Sequence, residues 1–327
     1  MTAQNLNAVA DAIRAAKRIA LCCHVSPDGD AVGSTLALRM GVEALGKEVI
    51  CFCQDKVPDN LRMLRGAEDF RAPEDAAGQQ FDLLVTVDVA DMRRMGRCAS
   101  LLEAAAATAQ VDHHGTNPAY MQVNYIDEKA PSSAVIIRRL LALLGVPVTR
   151  EIAMCLYAGM STDTGNFAFS STDAETFSVM SELMDAGLPL NDMNRRLFRE
   201  RSVPQILLLA RALGSLRFYR EGRISMMTLS RQDMIDCGAL PEHADAIVNF
   251  GLDVTGVKLA ALLRESPDGT VKCSLRAIDG GAVDGVAASF GGGGHRLAAG
   301  ATLAGPLDDA AARMLTALEN ALDGVNA

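Results

Sequence analysis

The side chains able to do hydrolytic chemistry are few and concentrated. Five histidines occur in 327 residues, at 24, 113, 114, 243 and 295. The first opens His24-Val25-Ser26-Pro27-Asp28-Gly29-Asp30, which leaves an apolar run and enters a helical pattern. Pro27 and Gly29 permit a tight turn, so His24, Asp28 and Asp30 could converge on one point. A plain strand–helix loop with Asp30 as N-cap explains the segment equally well when it is taken alone. Asp88 ends the apolar run Asp82-Leu83-Leu84-Val85-Thr86-Val87-Asp88; by itself it is an ordinary loop carboxylate. Val111-Asp112-His113-His114-Gly115 is more specific. Two adjacent imidazoles behind a strand-ending Asp suit a metal site, in which one ring ligates a cation, Asp112 orients a ring and the other ring faces substrate. Asp163, in Met160-Ser161-Thr162-Asp163-Thr164-Gly165, ends a helical pattern and is weak on its own.

Together these segments offer two candidate imidazole ligands and four candidate carboxylate ligands at the ends of separate elements. So many anions brought together repel one another and raise each other's pKa unless cations bind among them. The mixed nitrogen and oxygen donors suit manganese, with magnesium, cobalt or zinc as alternatives. A pair of such ions about 3.5–4 Å apart activates a water and stabilises phosphoryl oxygens in an in-line displacement.

Positioning these groups requires an α/β scaffold. Arg18–His24, Glu48–Cys53, Asp82–Val89 and Gln110–Asp112 read as buried strands. Ala31–Leu45 reads as a helix that Gly46 ends as a left-handed cap. Alternation of this kind predicts a mostly parallel sheet flanked by helices, with functional residues at the carboxyl ends of its strands. From Pro131 to Gly187 the pattern is helical, with Ser132 and Thr172 as N-caps and Gly187 with Pro189 as a stop. Residues 191–213 read as a helical linker, so a catalytic domain over 1–190 is expected, then a smaller α/β domain over 214–327. In that second domain, Ser215–Tyr219 with Arg223–Thr228 and Val257–Arg264 with Val271–Ile278 read as hairpins. A final helix covers 306–322.

Composition narrows the partners. The net charge of −9 argues against coating long nucleic acid but not against a small anionic substrate. No apolar run reaches the roughly 20 residues that span a bilayer, and residues 1–20 read as an amphipathic helix rather than a secretory signal. The eight cysteines form no C-x-x-C pair and read as reduced core thiols of a cytoplasmic protein. His243 reads as a surface or interhelix residue, and the arginines at 195, 196, 199 and 201 as a solvated connector face.

The ordered set His24-x-x-x-Asp28-x-Asp30, Asp88, Asp112-His113-His114 and Asp163 resembles the DHH phosphoesterase superfamily, named for that triplet. Val271-Lys272-Cys273-Ser274-Leu275-Arg276 and Gly291-Gly292-Gly293-Gly294-His295, followed by Ala298-Ala299-Gly300, resemble the DHH-associated substrate domain. The compact layout is similar to the nanoRNase and pAp phosphatase branch. The resemblance implies that His24, Asp28 and Asp88 hold one metal, and that Asp30, Asp88, His113 and Asp163 hold a second. It makes Asp112 a supporting partner and places His114 on the scissile phosphate. It also implies that Arg264, Arg276, Gly291, Gly292, Gly293, Gly294 and His295 bind substrate in a cleft between the domains.

The expected enzyme is then a manganese-dependent phosphoesterase. It would hydrolyse oligoribonucleotides of two to a few nucleotides, or convert pAp to AMP. An exopolyphosphatase, a linear or cyclic dinucleotide phosphodiesterase and a single-strand exonuclease are rivals within the superfamily. A non-catalytic nucleotide sensor is a rival outside it. The helical segment 132–213 offers surface for a homodimer.

Overall fold

A computed structural model describes residues 5–244, 246–278 and 280–324; the first four residues of the expected N-terminal helix lie outside these. The chain divides into two compact units, Met1–Glu200 and Arg201–Ala327. Within the segment 191–213, α7 (Leu190–Asn194) falls in the first unit and α8 (Val203–Gly214) in the second. In the second unit Leu208 and Ala212 of α8 share a core with Met227 and Leu229.

The first unit is built on five parallel strands: β1 (Arg18–Cys22), β2 (Glu48–Phe52), β3 (Phe81–Val87), β4 (Ala105–Asp112) and β5 (Val123–Ile126). Their order across the sheet is β2-β1-β3-β4-β5. The chain moves one way from β1 to β2, then returns past β1 to lay down β3. Beside β1 and β3 the order therefore reverses, leaving a crevice at the carboxyl ends of these strands, where open α/β sheets bind ligands. β4 starts five residues before the expected Gln110, and β5 was not expected. The first residues of β4, Ala-Ala-Ala-Thr, carry no apolar alternation, and β5 is a short strand at the sheet edge. Their strand character comes from pairing with a neighbour rather than from local pattern.

Helices α1 (Leu6–Ala15), α2 (Gly29–Ala44), α3 (Leu101–Ala104), α4 (Ser133–Leu144), α5 (Arg150–Asp163) and α6 (Ala174–Asp185) accompany α7 in this unit. α1 is amphipathic as expected: Leu6, Val9, Ala10 and Ile13 are buried at helical spacing. α2 begins two residues before the expected Ala31, because Asp28 accepts from the N–H groups of Asp30 and Ala31 and caps it. Gly46, with φ +76°, follows its end. α6 is capped by Asp173, not by Thr172; the longer-reaching carboxylate accepts from Thr176 in a reciprocal box. All eight cysteines are buried and unpaired.

α2 and α5 cross at very close range. A β-carbon at Gly33 would lie 2.3 Å from the Cys155 carbonyl oxygen, and one at Gly159 would lie 2.5 Å from Asp30 Oδ1. Only glycine lets these two helices bring Asp30 and Asp163 toward one another.

The second unit is a mixed six-stranded sheet. Its strands are β6 (Arg217–Tyr219), β7 (Ile224–Leu229), β8 (Leu259–Glu265), β9 (Val271–Ala277), β10 (Gly293–His295) and β11 (Ala298–Leu303). The order is β10-β11-β9-β8-β7-β6, with only β7 and β8 parallel. Both expected hairpins are present, β6 with β7 and β8 with β9. One sheet face, including Leu259, Leu263, Val271 and Leu275, packs with Met314 and Leu318 of the last helix, Leu307–Gly324.

The helix crossing makes a direct prediction. Gly33→Ala forces α2 and α5 apart, an overpacking change costing about 1–3 kcal/mol. Calorimetry should show the first unit melting about 5 °C lower or more. An unchanged melting temperature would contradict the close crossing.

Candidate active site

At the carboxyl edge of β1, β3 and β4 the structure brings together all six expected metal ligands, His24, Asp28, Asp30, Asp88, His113 and Asp163. Two three-residue groups form, His24–Asp28–Asp88 and Asp30–His113–Asp163, and a third joins Asp88 to His113 and His114. His24 Nε2 lies 3.5 Å from both Asp28 Oδ2 and Asp88 Oδ2. His113 Nε2 lies 3.2 Å from Asp163 Oδ2, 3.5 Å from Asp88 Oδ1 and 3.9 Å from Asp30 Oδ2. Asp88 thus faces His24 with Oδ2 and His113 with Oδ1, and His114 Nδ1 lies 3.7 Å from that same Oδ1. These gaps are long for charge-assisted hydrogen bonds. They match the spacing of two donors on one cation, each at about 2.0–2.2 Å.

Local structure aims each group. Asp88 follows β3 with φ +61°, a left-handed conformation disfavoured for a residue with a side chain. Its N–H still donates to Val111 O at 3.0 Å, and Ser133 Oγ donates to its Oδ1 at 3.0 Å. Asp30 is fully buried and accepts from Ser34 Oγ and from the N–H groups of Ser133 and Ala134 at 2.9, 2.6 and 2.9 Å. The N-terminus of α4 therefore points at this carboxylate. That is why Ser132, which precedes α4 as expected, makes no capping bond with its own hydroxyl. His113 Nδ1 faces Ala130 O at 3.3 Å, and His24 Nδ1 faces Val25 O at 2.8 Å. Both rings keep Nε2 for the cluster.

His114 is held differently. Its Nδ1 lies 2.8 Å from Asp112 Oδ1, and Asn117 Nδ2 donates to Asp112 Oδ2 at 2.6 Å. Asp112 is buried and the ring is half-buried. Nε2 of His114 is left for a partner outside this chain of bonds.

The electrostatics record an excess of anions. Burial, then repulsion from Asp163 and Asp88, raises the Asp30 pKa well above the usual carboxylate range. Burial raises Asp163 to about 6. Burial lowers His24 and His113, but Asp28 and Asp88 outweigh it at His24, and Asp163, Asp30 and Asp88 outweigh it at His113; each reaches about 10. The hydrogen bond to Asp112 raises His114. Without cations, protons are the only counter-charges the cluster can recruit. Four oxygen-donor residues, two ring nitrogens and unmet negative charge make a donor set that fits two divalent ions.

The second unit places Arg264, Arg276 and His295 on one sheet face. Strand alternation and register put Arg264 opposite Lys272, Ala260 opposite Arg276, and Ala298 opposite both Arg276 and His295. Arg264, Lys272, Ser274, Gly291, Gly292 and Thr302 line a hollow of about 580 Å³, whereas Arg276 and His295 do not. The glycine run is only partly a loop, since Gly293 and Gly294 pair with Gly300 and Ala299. Sequence reasoning did not single out Lys272 and Ser274 as site residues, although Lys-x-Ser-x-Arg alternation places both beside Arg276. It also missed Ser133, Asn117 and Arg94 around the cluster. These sit in segments without a motif, and their signal is only proximity after folding.

Comparison with known proteins agrees with this layout. Residues 18–160 match the DHH family, N-terminal domain, and residues 232–324 match the DHHA1 domain. The bifunctional oligoribonuclease and PAP phosphatase NrnA of Thermus thermophilus is 34% identical over 98% of this chain and 95% of that protein. The chain belongs to the DHH family. The Bacillus subtilis protein of the same name is 24% identical over 86% of this chain and 87% of its own length. The crystal structure of an exopolyphosphatase-related protein from Bacteroides fragilis shares the fold. Its TM-score is 0.92 at 24% identity, covering 98% of this chain and 97% of that one. No helix among the described residues is long and apolar enough to cross a membrane.

The imidazole environment sets a proton balance that can be measured. His24 and His113 titrate at about 10 in the metal-free fold, against an ordinary 6.5. Between these values the folded state binds more protons than the unfolded chain, so the contribution of these residues to stability is full below pH 6.5 and is lost as pH rises toward 10. Cation binding at pH 8 should expel these protons. Manganese titration in buffers of different ionisation enthalpy should report net proton release, from the two imidazoles and from any proton held on Asp30. Heat of binding independent of the buffer would contradict this.

Proposed function

We propose that this member of the DHH family hydrolyses phosphate esters of short oligoribonucleotides to mononucleotides, and of pAp to AMP, with two divalent ions. Manganese is the first choice. The observation that carries the reading is the pair of three-residue groups gathered about Asp88. The near-full-length similarity to a Thermus thermophilus protein named for both activities supports the substrate class.

In this reading His24, Asp28 and Asp88 hold one ion, and Asp30, Asp88, His113 and Asp163 hold the other. When bound, such ions stabilise charge on phosphoryl oxygens and lower the pKa of an attacking water. The chain supplies the rest. Ser133 and the first turn of α4 fix the two buried carboxylates, which keeps their negative charge at set positions. Asp112, held by Asn117, fixes the His114 ring so that Nε2 presents an N–H to the phosphoryl oxygen that gains charge. In the second unit, Arg264, Arg276 and Gly291–His295 serve the substrate, as does Lys272, since a guanidinium or ammonium beside exposed backbone N–H groups suits a phosphate.

The test is direct. With manganese, the purified protein should release mononucleotides from a diribonucleotide and phosphate from pAp, faster than it degrades polyphosphate or long RNA. Asp88→Ala should lower kcat/KM for both substrates by about 10³-fold or more, since it removes several kcal/mol of charge stabilisation. Full activity in that variant would remove the shared role of Asp88.

A further inference from the structure

We infer that Arg94 is a phosphate-gripping residue of this active site, a role that rests on the phosphoesterase reading above. Arg94 lies in Asp91-Met92-Arg93-Arg94-Met95-Gly96, after Asp88. Its guanidinium Nη2 stands 2.9 Å from His24 Nδ1, on the far side of the ring from Asp28 and Asp88. Its backbone is fixed at both ends. Its N–H donates to Asp91 Oδ1 at 3.0 Å, and its carbonyl accepts from the Val25 N–H at 2.9 Å. A residue pinned to the loop that carries His24 moves with the site.

The partnering of this guanidinium is unusual. In the first unit the other partly buried arginines face carboxylates. Arg18 meets Glu48, Arg39 meets Glu43 and Asp69, Arg138 meets Glu182, and Arg139 meets Glu175 and Asp127. Arg94 is partly buried too, yet no carboxylate among the described residues lies within ion-pair distance of it. Among the described residues, the one polar partner of its side chain is a ring nitrogen that also faces Val25 O at 2.8 Å. A ring that turns the Nε2 lone pair toward a cation carries its proton on Nδ1, donates it to Val25 and accepts nothing from Arg94. The guanidinium then has donors and no acceptor.

Charge balance says what it takes. Asp28, Asp30, Asp88 and Asp163 together offset two divalent ions, and Asp112 offsets His114. The charge of an arriving phosphate is then met by few groups of the first unit. Arg94 is the only Lys or Arg among the described residues whose side chain is recorded touching the cluster. A planar fork with free N–H groups suits a non-bridging phosphate oxygen or the phosphate of a mononucleotide product.

The experiment uses the manganese-loaded full chain as wild type, Arg94→Met and Arg94→Lys. Calorimetry measures manganese binding first and AMP binding second, and kinetics follow on a diribonucleotide and pAp. For Arg94→Met the expected result is manganese stoichiometry and affinity within about threefold of wild type, with AMP affinity and kcat/KM reduced about 10- to 100-fold. Arg94→Lys should recover part of the AMP affinity. Loss of manganese affinity in step with AMP affinity would reduce Arg94 to a prop for His24 and overturn the inference. Unchanged AMP affinity in Arg94→Met, or no AMP binding by the wild type, overturns it as well. A wild type that binds AMP through Arg94 but hydrolyses neither substrate would instead overturn the proposed function alone.

Discussion

Mutual repulsion among carboxylates is the constraint around which the first unit is arranged. Asp30 and Asp88 are buried, and Asp28 and Asp163 stand within reach of the same two imidazole nitrogens. Burying one unpaired charge is costly, and burying several of one sign together is more so. The fold tolerates them through fixed partial charges. The first N–H groups of α4 and the Ser34 hydroxyl serve Asp30, and Ser133 serves Asp88. These donors lessen the excess of negative charge without removing it. The raised imidazole and carboxylic pKa values register the remainder. The donors and the unmet negative charge are those that cation binding requires, and the proposed hydrolysis depends on them.

The architecture shows how the cost is distributed. The reversal of strand order between β1 and β3 opens the crevice, and the carboxyl ends of three strands supply His24, Asp88 and the Asp112–His114 triplet. α2 and α5 supply Asp30 and Asp163, and their glycines trade conformational stability for a close crossing. The left-handed backbone at Asp88 is another such trade, since strained residues persist where surrounding structure over-determines them. Backbone hydrogen bonding to Val111 and the Ser133 hydroxyl provide that hold.

Much of this was legible in the sequence, for a physical reason. A polar residue that ends a run of buried strand residues must emerge at the sheet edge, so His24, Asp88 and the triplet mark a common edge in the sequence itself. Strand–helix alternation gave the parallel sheet, and turn residues gave both hairpins. What stayed hidden depends on tertiary pairing. β5 and the alanine-rich start of β4 are strands through their neighbours. Ser133 and Asn117 matter because a helix N-terminus and a loop meet carboxylates far away in sequence. The glycine run of the second unit looks like loop by composition, yet two of its residues pair as an edge strand.

The central claim is that one buried carboxylate joins two cation sites. Anomalous diffraction from a manganese-soaked crystal tests it most directly. The account predicts two peaks per chain, one beside His24 and Asp28 and the other beside Asp30, His113 and Asp163, with Asp88 reaching both. A single peak that leaves Asp88 untouched, or manganese bound only elsewhere on the chain, would contradict it.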